Sequence, residues 1–321
     1  MAEAQVTNPE RALSANELAI DTPWAFARYE SVRERLPGAA FPKHSESISN
    51  LLEIAGEFDT FLLDAFGVLN VGASAIPGAV NAIAALAQQG KHLYVLTNGA
   101  TSPRADAVAK YRHLGFDFAP EQVISSRDLL STAMAAFGES MSWGFAAPPH
   151  AGVDSLAAHT RYLNEDDTAF EAVDGFVLLS TNGWSAHNQS TLVAALKQRA
   201  RPVLVGNPDI VAPHELAFSI EPGHFAHALA DATGITPEFY GKPFANAFDE
   251  ALARVTSRIG RTPDLARTAM VGDTLHTDIL GGAAAGLRTI LVSSHGLFRG
   301  LDVKPFIRRS GIVPDYIAST T

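Results

Sequence analysis

Residues 60–66, TFLLDAF, form a short apolar run that ends at an acidic residue, Asp64. A run of this length and composition is typical of a strand buried on both faces of a parallel sheet. Residues 92–98, HLYVLTN, repeat the pattern, and a helix that begins near Pro77 and ends near Gly90 separates the two runs. A third run, EQVISS, follows another helix. This alternation predicts an α/β fold with a Rossmann-like, mostly parallel core sheet.

The alternation is interrupted once along the chain. Residues 138–236 contain two further apolar runs, GFVLLS and RPVLVGN, with a helix between them and several proline-containing turns. The strand–helix pattern then resumes, so we predict an α+β cap domain inserted between two parts of one core, residues 46–137 and 237–321. Residues 1–45 mix aromatic, charged and proline residues and predict an N-terminal helical arm without evident chemistry.

Composition narrows the range of partners and locations. The chain has 321 residues, is 47% apolar and carries a formal net charge of −10, which argues against nucleic acid or an anionic membrane as its main partner. The absence of cysteine excludes disulfides, thiolate metal sites and cysteine nucleophiles. There is no signal-peptide pattern, and no apolar run approaches the roughly 20 residues that a membrane-spanning helix needs. We therefore expect a cytoplasmic protein.

Polar residues follow the predicted strands where ligands bind in open α/β sheets. Asp64 and Asp273 each end an apolar run, and two carboxylates at strand ends form a hard oxygen site of the kind that Mg²⁺ prefers. Asp64 is also suited to attack phosphorus. Thr97 and Asn98 precede a predicted helix N-terminus, where phosphate oxygens bind. Lys242 offers a positive charge for a phosphate. Together these residues predict a metal-assisted phosphoryl-transfer site.

Four motifs and their order carry a resemblance to a known family. They are DAFGVLN at Asp64, LTNGATSPR at Thr97, GKP at Lys242 and VGDTLHTD at Asp273, with a further short motif, NPD, at residues 207–209. The sequence resembles class IIA of the haloacid dehalogenase (HAD) superfamily over about residues 50–295. This class includes p-nitrophenyl, phosphoglycolate and pyridoxal-phosphate phosphatases and NagD-type nucleotide phosphatases. It inserts a large cap between the second and third motifs.

The resemblance implies roles for the residues of the metal site. It implies that Asp64 is the nucleophile and a Mg²⁺ ligand, and that Lys242 orients the Asp64 carboxylate and balances its charge. The main-chain carbonyl of Phe66 and the carboxylate of Asp273 are the other implied ligands. Asp278 is implied to support this site.

The resemblance also implies a substrate class. Thr97 and Asn98 would hold the phosphoryl group, and Asn207 and Asp209 of the cap would contact the substrate. The implied activity is Mg²⁺-dependent hydrolysis of a small phosphorylated metabolite through an aspartyl phosphate. The class further implies a homodimer formed through the cap.

One position departs from the family pattern. Phosphatases of this class carry a second aspartate two residues after the nucleophile as general acid and base, and this chain has Phe66 there. A phenyl ring transfers no proton, and loss of general acid–base catalysis typically costs about 10²–10⁴-fold in rate. We therefore predict weak activity or a restriction to good leaving groups, unless the cap supplies the acid through a histidine such as His150, His187 or His214.

Two other interpretations stay open from the sequence. The first is a non-catalytic protein that binds a phosphorylated metabolite and retains the Mg²⁺ site. The second is chemistry like that of the 2-haloacid dehalogenases, since DAFG resembles the DAYG start of those enzymes, which use the aspartate without a metal. Asp273, the lysine of GKP and a cap of the class IIA type argue against the second interpretation.

Overall fold

The computed structural model describes residues 20–214 and 217–321, which form an α/β molecule with two main sheets. The strands in these residues are β1 (Glu46–Ile48), β2 (Thr60–Leu63), β3 (Asn70–Val71), β4 (Ser74–Ala75), β5 (His92–Thr97), β6 (Val123–Ser125), β7 (Ser142–Ala146), β8 (His159–Tyr162), β9 (Gly175–Leu178), β10 (Val203–Val205), β11 (Val211–Pro213), β12 (Phe218–Ile220), β13 (Glu238–Phe239), β14 (Thr268–Gly272), β15 (Arg288–Val292) and β16 (Tyr316–Ala318). The α-helices are α1 (Thr22–Ser31), α2 (Ala79–Gln88), α3 (Arg104–His113), α4 (Ser126–Met134), α5 (Ala169–Ala172), α6 (Ala186–Gln198), α7 (Pro222–Thr233), α8 (Ala245–Ile259), α9 (Leu280–Ala284) and α10 (Lys304–Ser310).

The core sheet has seven strands in the order β1-β16-β15-β14-β2-β5-β6. Every pair in it is parallel, which confirms the predicted Rossmann-like core. Strand β2 lies between β14 and β5 and is buried along its whole length. Phe61, Leu62 and Leu63 are fully buried because helices or loops cover both faces of such a sheet, as the continuous apolar run predicted.

The inserted cap contains a second sheet, in the order β13-β10-β9-β7-β8. Its strand direction differs in one respect from the α+β cap that we predicted, because all four pairs are parallel. Most successive strands are connected by helices or helical turns. Such crossovers bring the chain back to the end of the sheet where the previous strand began, so the next strand runs parallel to it. The pairing of Glu238–Phe239 with β10 also extends this sheet a few residues beyond the predicted boundary at 236. A separate antiparallel hairpin, β11–β12, leads from the cap toward the core.

The predicted N-terminal arm is described only from residue 20 onward, and residues 1–19 lie outside the described residues. Helix α1 begins after Asp21, whose carboxylate accepts a hydrogen bond from the Trp24 main-chain N–H at 2.8 Å. Phe26 and Tyr29 of α1 are buried in an apolar cluster with residues of the core and the cap. This part of the predicted arm is therefore packed against both domains. Within the described residues, none of the helices is long and apolar enough to span a membrane.

The strand order places the predicted motifs beside one another. Asp64 follows β2, Asn98 follows β5 and Asp273 follows β14, and these three strands are adjacent in the core sheet. Since parallel strands end at the same edge, the three side chains meet at one edge of the core, below the cap.

Candidate active site

A cavity of about 720 Å³ lies between the carboxyl edge of the core sheet and the cap. Eight of the nine residues to which the resemblance assigned a role line it: Asp64, Phe66, Thr97, Asn98, Asn207, Asp209, Lys242 and Asp273. Asp278 lies beside this set and contacts Lys242. The volume is in the range of small-molecule sites. The structure thus brings the predicted residues together in a single place.

Three carboxylates cluster at the base of the site, where Asp64 and Asp273 line the cavity and Asp278 lies beside them. Oxygen atoms of Asp64, Asp273 and Asp278 all lie within 4.8 Å of one another. Burial, together with the charge of Asp278, raises the pKa of Asp64 to about 6. Burial and the charges of Asp278 and Asp64 raise the pKa of Asp273 well above its usual value. Crowded carboxylates of this kind need a compensating cation, and their oxygens are the ligands that hard divalent cations prefer. The donor set therefore fits a divalent metal ion.

Lys242 supplies part of the compensating charge. Its Nζ lies 2.7 Å from Asp64 Oδ1 and 2.6 Å from Asp278 Oδ1, and the residue is 2% exposed. Burial alone would lower the pKa of Lys242, but the charges of Asp278 and Asp64 outweigh it and raise the pKa above its ordinary value. One ammonium against three carboxylates leaves two net negative charges, which match one divalent cation.

Asp278 holds the loop that follows β14. Its Oδ2 accepts hydrogen bonds from the main-chain N–H groups of Asp273 and Thr274, at 3.1 and 3.0 Å. A Cβ atom on Gly272 would lie 2.1 Å from Asp278 Cγ, so the carboxylate can approach only because this residue is glycine. These contacts favour the supporting role that the resemblance implied, and they place Asp278 within the acidic cluster as well.

Asn98 joins the loops of the core and the cap. Its Nδ2 donates to Asp209 Oδ1 at 2.8 Å and to the main-chain carbonyl of Lys242 at 2.9 Å. Its Oδ1 accepts from the Lys242 N–H at 2.8 Å and from Ser126 Oγ at 3.2 Å. Both side-chain N–H groups are therefore used within the protein. In this arrangement the Asn98 side chain connects Asp209 to the Lys242 loop.

The cap contributes the predicted Asn207–Asp209 turn. Asn207 Oδ1 accepts from the Asp209 N–H at 3.0 Å, and Asn207 Nδ2 donates to Glu221 Oε2 at 3.0 Å. Burial raises the pKa of Asp209 to about 8. The turn thus presents a carboxyl group to the cavity whose pKa lies near neutrality, next to Asn98.

Of the three histidines named from the sequence, only His214 is among the described residues that line the cavity. Its ring meets the Phe66 ring edge to face, with centroids 6.2 Å apart. His214 Nε2 lies 2.9 Å from Ser219 Oγ, which donates to Glu221 Oε1 at 2.5 Å. His187, by contrast, is exposed and pairs with Asp167. No sequence spacing pointed to Ser219 or Glu221, because the β11–β12 hairpin creates this contact.

Lys110 is a further residue that the sequence did not reveal. Its ammonium lies 4.7 Å from the centroid of the Phe66 ring, on the side of helix α3, and burial lowers its pKa. A cation over the face of an aromatic ring is an attractive contact. Phe66 is therefore held by both the core and the cap.

Comparisons with known proteins identify the family to which the sequence is similar. Residues 61–142 match the family model described as haloacid dehalogenase-like hydrolase, and residues 239–320 match one described as HAD-hydrolase-like. The chain is 31% identical to glycerol-3-phosphate phosphatase of Homo sapiens, over 82% of this chain and 88% of that protein.

Two solved structures are similar to this one. One is a possible sugar phosphatase of the HAD superfamily from Cytophaga hutchinsonii, with a TM-score of 0.76, 26% identity, and coverage of 86% of this chain and 98% of that chain. The other is a glycerol phosphate phosphatase from Mycobacterium tuberculosis in complex with calcium, with a TM-score of 0.59, 25% identity, and coverage of 75% and 68%.

Proposed function

The chain belongs to the haloacid dehalogenase-like hydrolases, and we propose that it is a Mg²⁺-dependent phosphatase of a small phosphorylated metabolite. The observation that carries the proposal is the contact of Lys242 Nζ with both Asp64 and Asp278 inside a cluster of three buried carboxylates. This arrangement supports a nucleophilic aspartate beside a divalent cation. Relatives named as glycerol-3-phosphate and sugar phosphatases support a small phosphorylated substrate.

The metal would be held by Asp64, Asp273 and the main-chain carbonyl of Phe66. When bound, Mg²⁺ supplies positive charge next to the phosphoryl oxygens. The calcium complex of a similar phosphatase supports a divalent cation in this fold. Lys242 would keep the Asp64 carboxylate in place, and Asp278 would do the same for Lys242 and for the main chain of Asp273.

The proposed reaction has two steps. In the first, an oxygen of Asp64 forms a bond to phosphorus while the bond from phosphorus to the leaving oxygen breaks, and the leaving group departs with the electron pair. In the second, water attacks phosphorus and gives up a proton, the aspartyl P–O bond breaks, and inorganic phosphate and free Asp64 result. Lys242 fixes the direction of the attacking carboxylate through its contact with Oδ1.

Phe66 restricts the first step. A leaving alkoxide needs a proton that this side chain does not provide, whereas acyl, aryl and enol oxygens depart without one. We therefore expect substrates with good leaving groups to react fastest. Leaving-group choice does not help the second step, however, because water must still lose a proton.

We propose that His214 accepts this proton. Ser219 donates its hydroxyl hydrogen to Glu221, so its oxygen is left to accept from His214. This places an imidazole hydrogen on Nε2, so Nδ1 is the nitrogen that would accept the proton from water. His214 lines the cavity and contacts the ring of Phe66. Phe66 occupies the sequence position at which the family carries its acid–base aspartate.

A leaving-group series tests the proposed function. Acetyl phosphate, p-nitrophenyl phosphate and glycerol 3-phosphate are each incubated with Mg²⁺, and phosphate release is measured. We expect the rate to fall steeply as the leaving group becomes more basic. Phe66→Asp should raise the glycerol 3-phosphate rate by about 10²-fold or more, the usual contribution of a positioned acid, while Phe66→Asn, which transfers no proton, should not.

Other outcomes would select the other interpretations. Absence of turnover on all three substrates, with Mg²⁺ still bound, would favour a non-catalytic binding protein. Release of halide from a 2-haloacid without Mg²⁺ would instead indicate dehalogenase-like chemistry.

A further inference from the structure

The N-terminal clasp, residues 20–36, contacts the cap through helix α7. The Trp24 ring lies 5.4 Å from the His224 ring, centroid to centroid. Arg35 donates to Asp231 at 2.5 Å and to the carbonyl oxygen of His227 at 3.2 Å. These contacts attach the clasp to the outer helix of the cap.

The same segment contacts the core next to the acidic cluster. Thr22 Oγ1 donates to the carbonyl oxygen of Leu297 at 2.6 Å, and the N–H of Leu297 donates to Asp273 Oδ2 at 2.6 Å. Glu30 Oε1 lies 2.5 Å from His276 Nε2. His276 is fully buried and belongs to the π-helical turn Leu275–Ile279, between Asp273 and Asp278. The clasp therefore supports the loop that carries two of the three carboxylates.

Tyr29 connects these two attachments through a single side chain. Its ring stacks on the His276 ring, with centroids 5.0 Å apart and planes 6° from parallel. Its hydroxyl oxygen accepts a hydrogen bond from the main-chain N–H of Ile210 at 3.1 Å, and Ile210 directly follows Asp209. Tyr29 is 2% exposed and Ile210 is fully buried. A buried main-chain N–H requires an acceptor, and Tyr29 provides it.

We infer that Tyr29 is a positioning residue that holds the Asp209 loop of the cap in register with the Asp273–Asp278 loop of the core. It acts through Ile210 and His276 and does not line the cavity itself. Asp209 in turn bonds Asn98, which bonds the Lys242 loop. Displacement of Ile210 would therefore move Asp209 and Asn98, which line the substrate side of the site. Small misplacements of such groups have large kinetic effects. The kinetic consequence depends on the phosphatase proposal, whereas the structural consequence does not.

The variant Tyr29→Phe tests this inference, because it keeps the stacked ring and removes only the acceptor. We expect KM for p-nitrophenyl phosphate to rise about 5–10-fold, as for the loss of one buried hydrogen bond, with a smaller change in kcat. A purely structural role would reduce the fraction of active protein, and hence kcat, without changing KM. Tyr316→Phe is the matched control, since Tyr316 is also buried and its hydroxyl donates to Glu57 at the far edge of the core sheet.

Hydrogen–deuterium exchange gives a readout that needs no activity. In Tyr29→Phe, peptides that cover residues 206–214 should exchange faster than in the wild type, while cap peptides that cover β7 and β8 should not change. Wild-type KM and wild-type exchange in Tyr29→Phe would overturn the inference. If the wild-type protein hydrolyses no phosphate ester, the proposed function fails, and the exchange experiment still decides the role of Tyr29.

Discussion

As the proposed nucleophile, Asp64 would react only as a carboxylate, and its neighbours determine how readily it ionises. Burial raises its pKa to about 6, while Lys242 at 2.7 Å acts in the opposite direction. A divalent cation bound to the same oxygens would favour the anion further, so deprotonation of Asp64 and metal binding support each other. Phe66 adds no charge to this balance. Phe66 at the position of the family's second aspartate therefore leaves the proposed nucleophile and metal ligands in place and removes the proton donor.

Asp209 gives a prediction of the pH dependence of stability. Burial raises its pKa from 3.8 to about 8 in the folded protein, so the folded state binds this proton more tightly than the unfolded state. The contribution of Asp209 to stability is therefore full below pH 4 and is lost as the pH rises from about 4 to about 8. Asp209→Asn has no such titration and keeps an oxygen that accepts from Asn98.

We expect the Tm of Asp209→Asn minus that of the wild type to increase between pH 5 and pH 8 by at least about 2–4 °C, the shift that ~1 kcal/mol produces in a domain of comparable size. Thermal unfolding at several pH values measures it. Asp249→Asn on the exposed surface of α8 is the control and should follow the wild type at every pH. A difference in Tm that does not change with pH would contradict the assignment.

At the level of elements, strand ends and one hairpin build the site. Strands β14, β2 and β5 deliver Asp273, Asp64 and Asn98 to a common edge. The β11–β12 hairpin then carries His214 over Phe66. The core side therefore supplies the carboxylates, and the cap side supplies the imidazole.

His214→Gln tests the hairpin's role in the second step. If His214 removes the proton from the attacking water, the variant should still form the aspartyl phosphate, and it should hydrolyse this intermediate more slowly. We expect a rapid burst of about one nitrophenolate per active site. The steady-state rate that follows should be at least about 10²-fold lower than in the wild type. Stopped-flow absorbance with p-nitrophenyl phosphate measures both phases.

His187→Gln is the matched control for this experiment, because His187 is an exposed histidine on helix α6 of the same cap. It should retain wild-type kinetics. A His214→Gln protein with a wild-type steady-state rate and no burst would show that another group accepts the proton.

Across the whole molecule, the cap, the core and the N-terminal clasp meet around one cavity. Apolar residues from all three regions, including Phe26, Ile210 and Leu275, form one buried cluster. Hydrogen bonds of Asn98 add a polar connection between cap and core. Closing a site between domains in this way excludes water and adds contacts for specificity.

The sequence predicted the parts of this arrangement that depend on local pattern. The apolar run TFLLDAF specified a buried strand, and the order of the motifs at Asp64, Thr97, Lys242 and Asp273 predicted which strand ends meet. Contacts between distant segments left no such pattern. The stacking of Tyr29 on His276 joins residues 247 positions apart, and the strand direction within the cap depends on crossovers whose course local periodicity does not specify.

Hydrolysis of p-nitrophenyl phosphate is the sharpest test of Asp64 as the proposed nucleophile of a Mg²⁺-dependent phosphatase, because nitrophenolate departs without a proton. Hydrolysis is measured for the wild type and for Asp64→Asn, with Mg²⁺ and with chelator. We expect wild-type activity to require Mg²⁺ and to fall by at least about 10³-fold in Asp64→Asn, as for loss of a nucleophile. Equal rates in the two proteins, or no Mg²⁺-dependent hydrolysis by the wild type, would contradict the proposal.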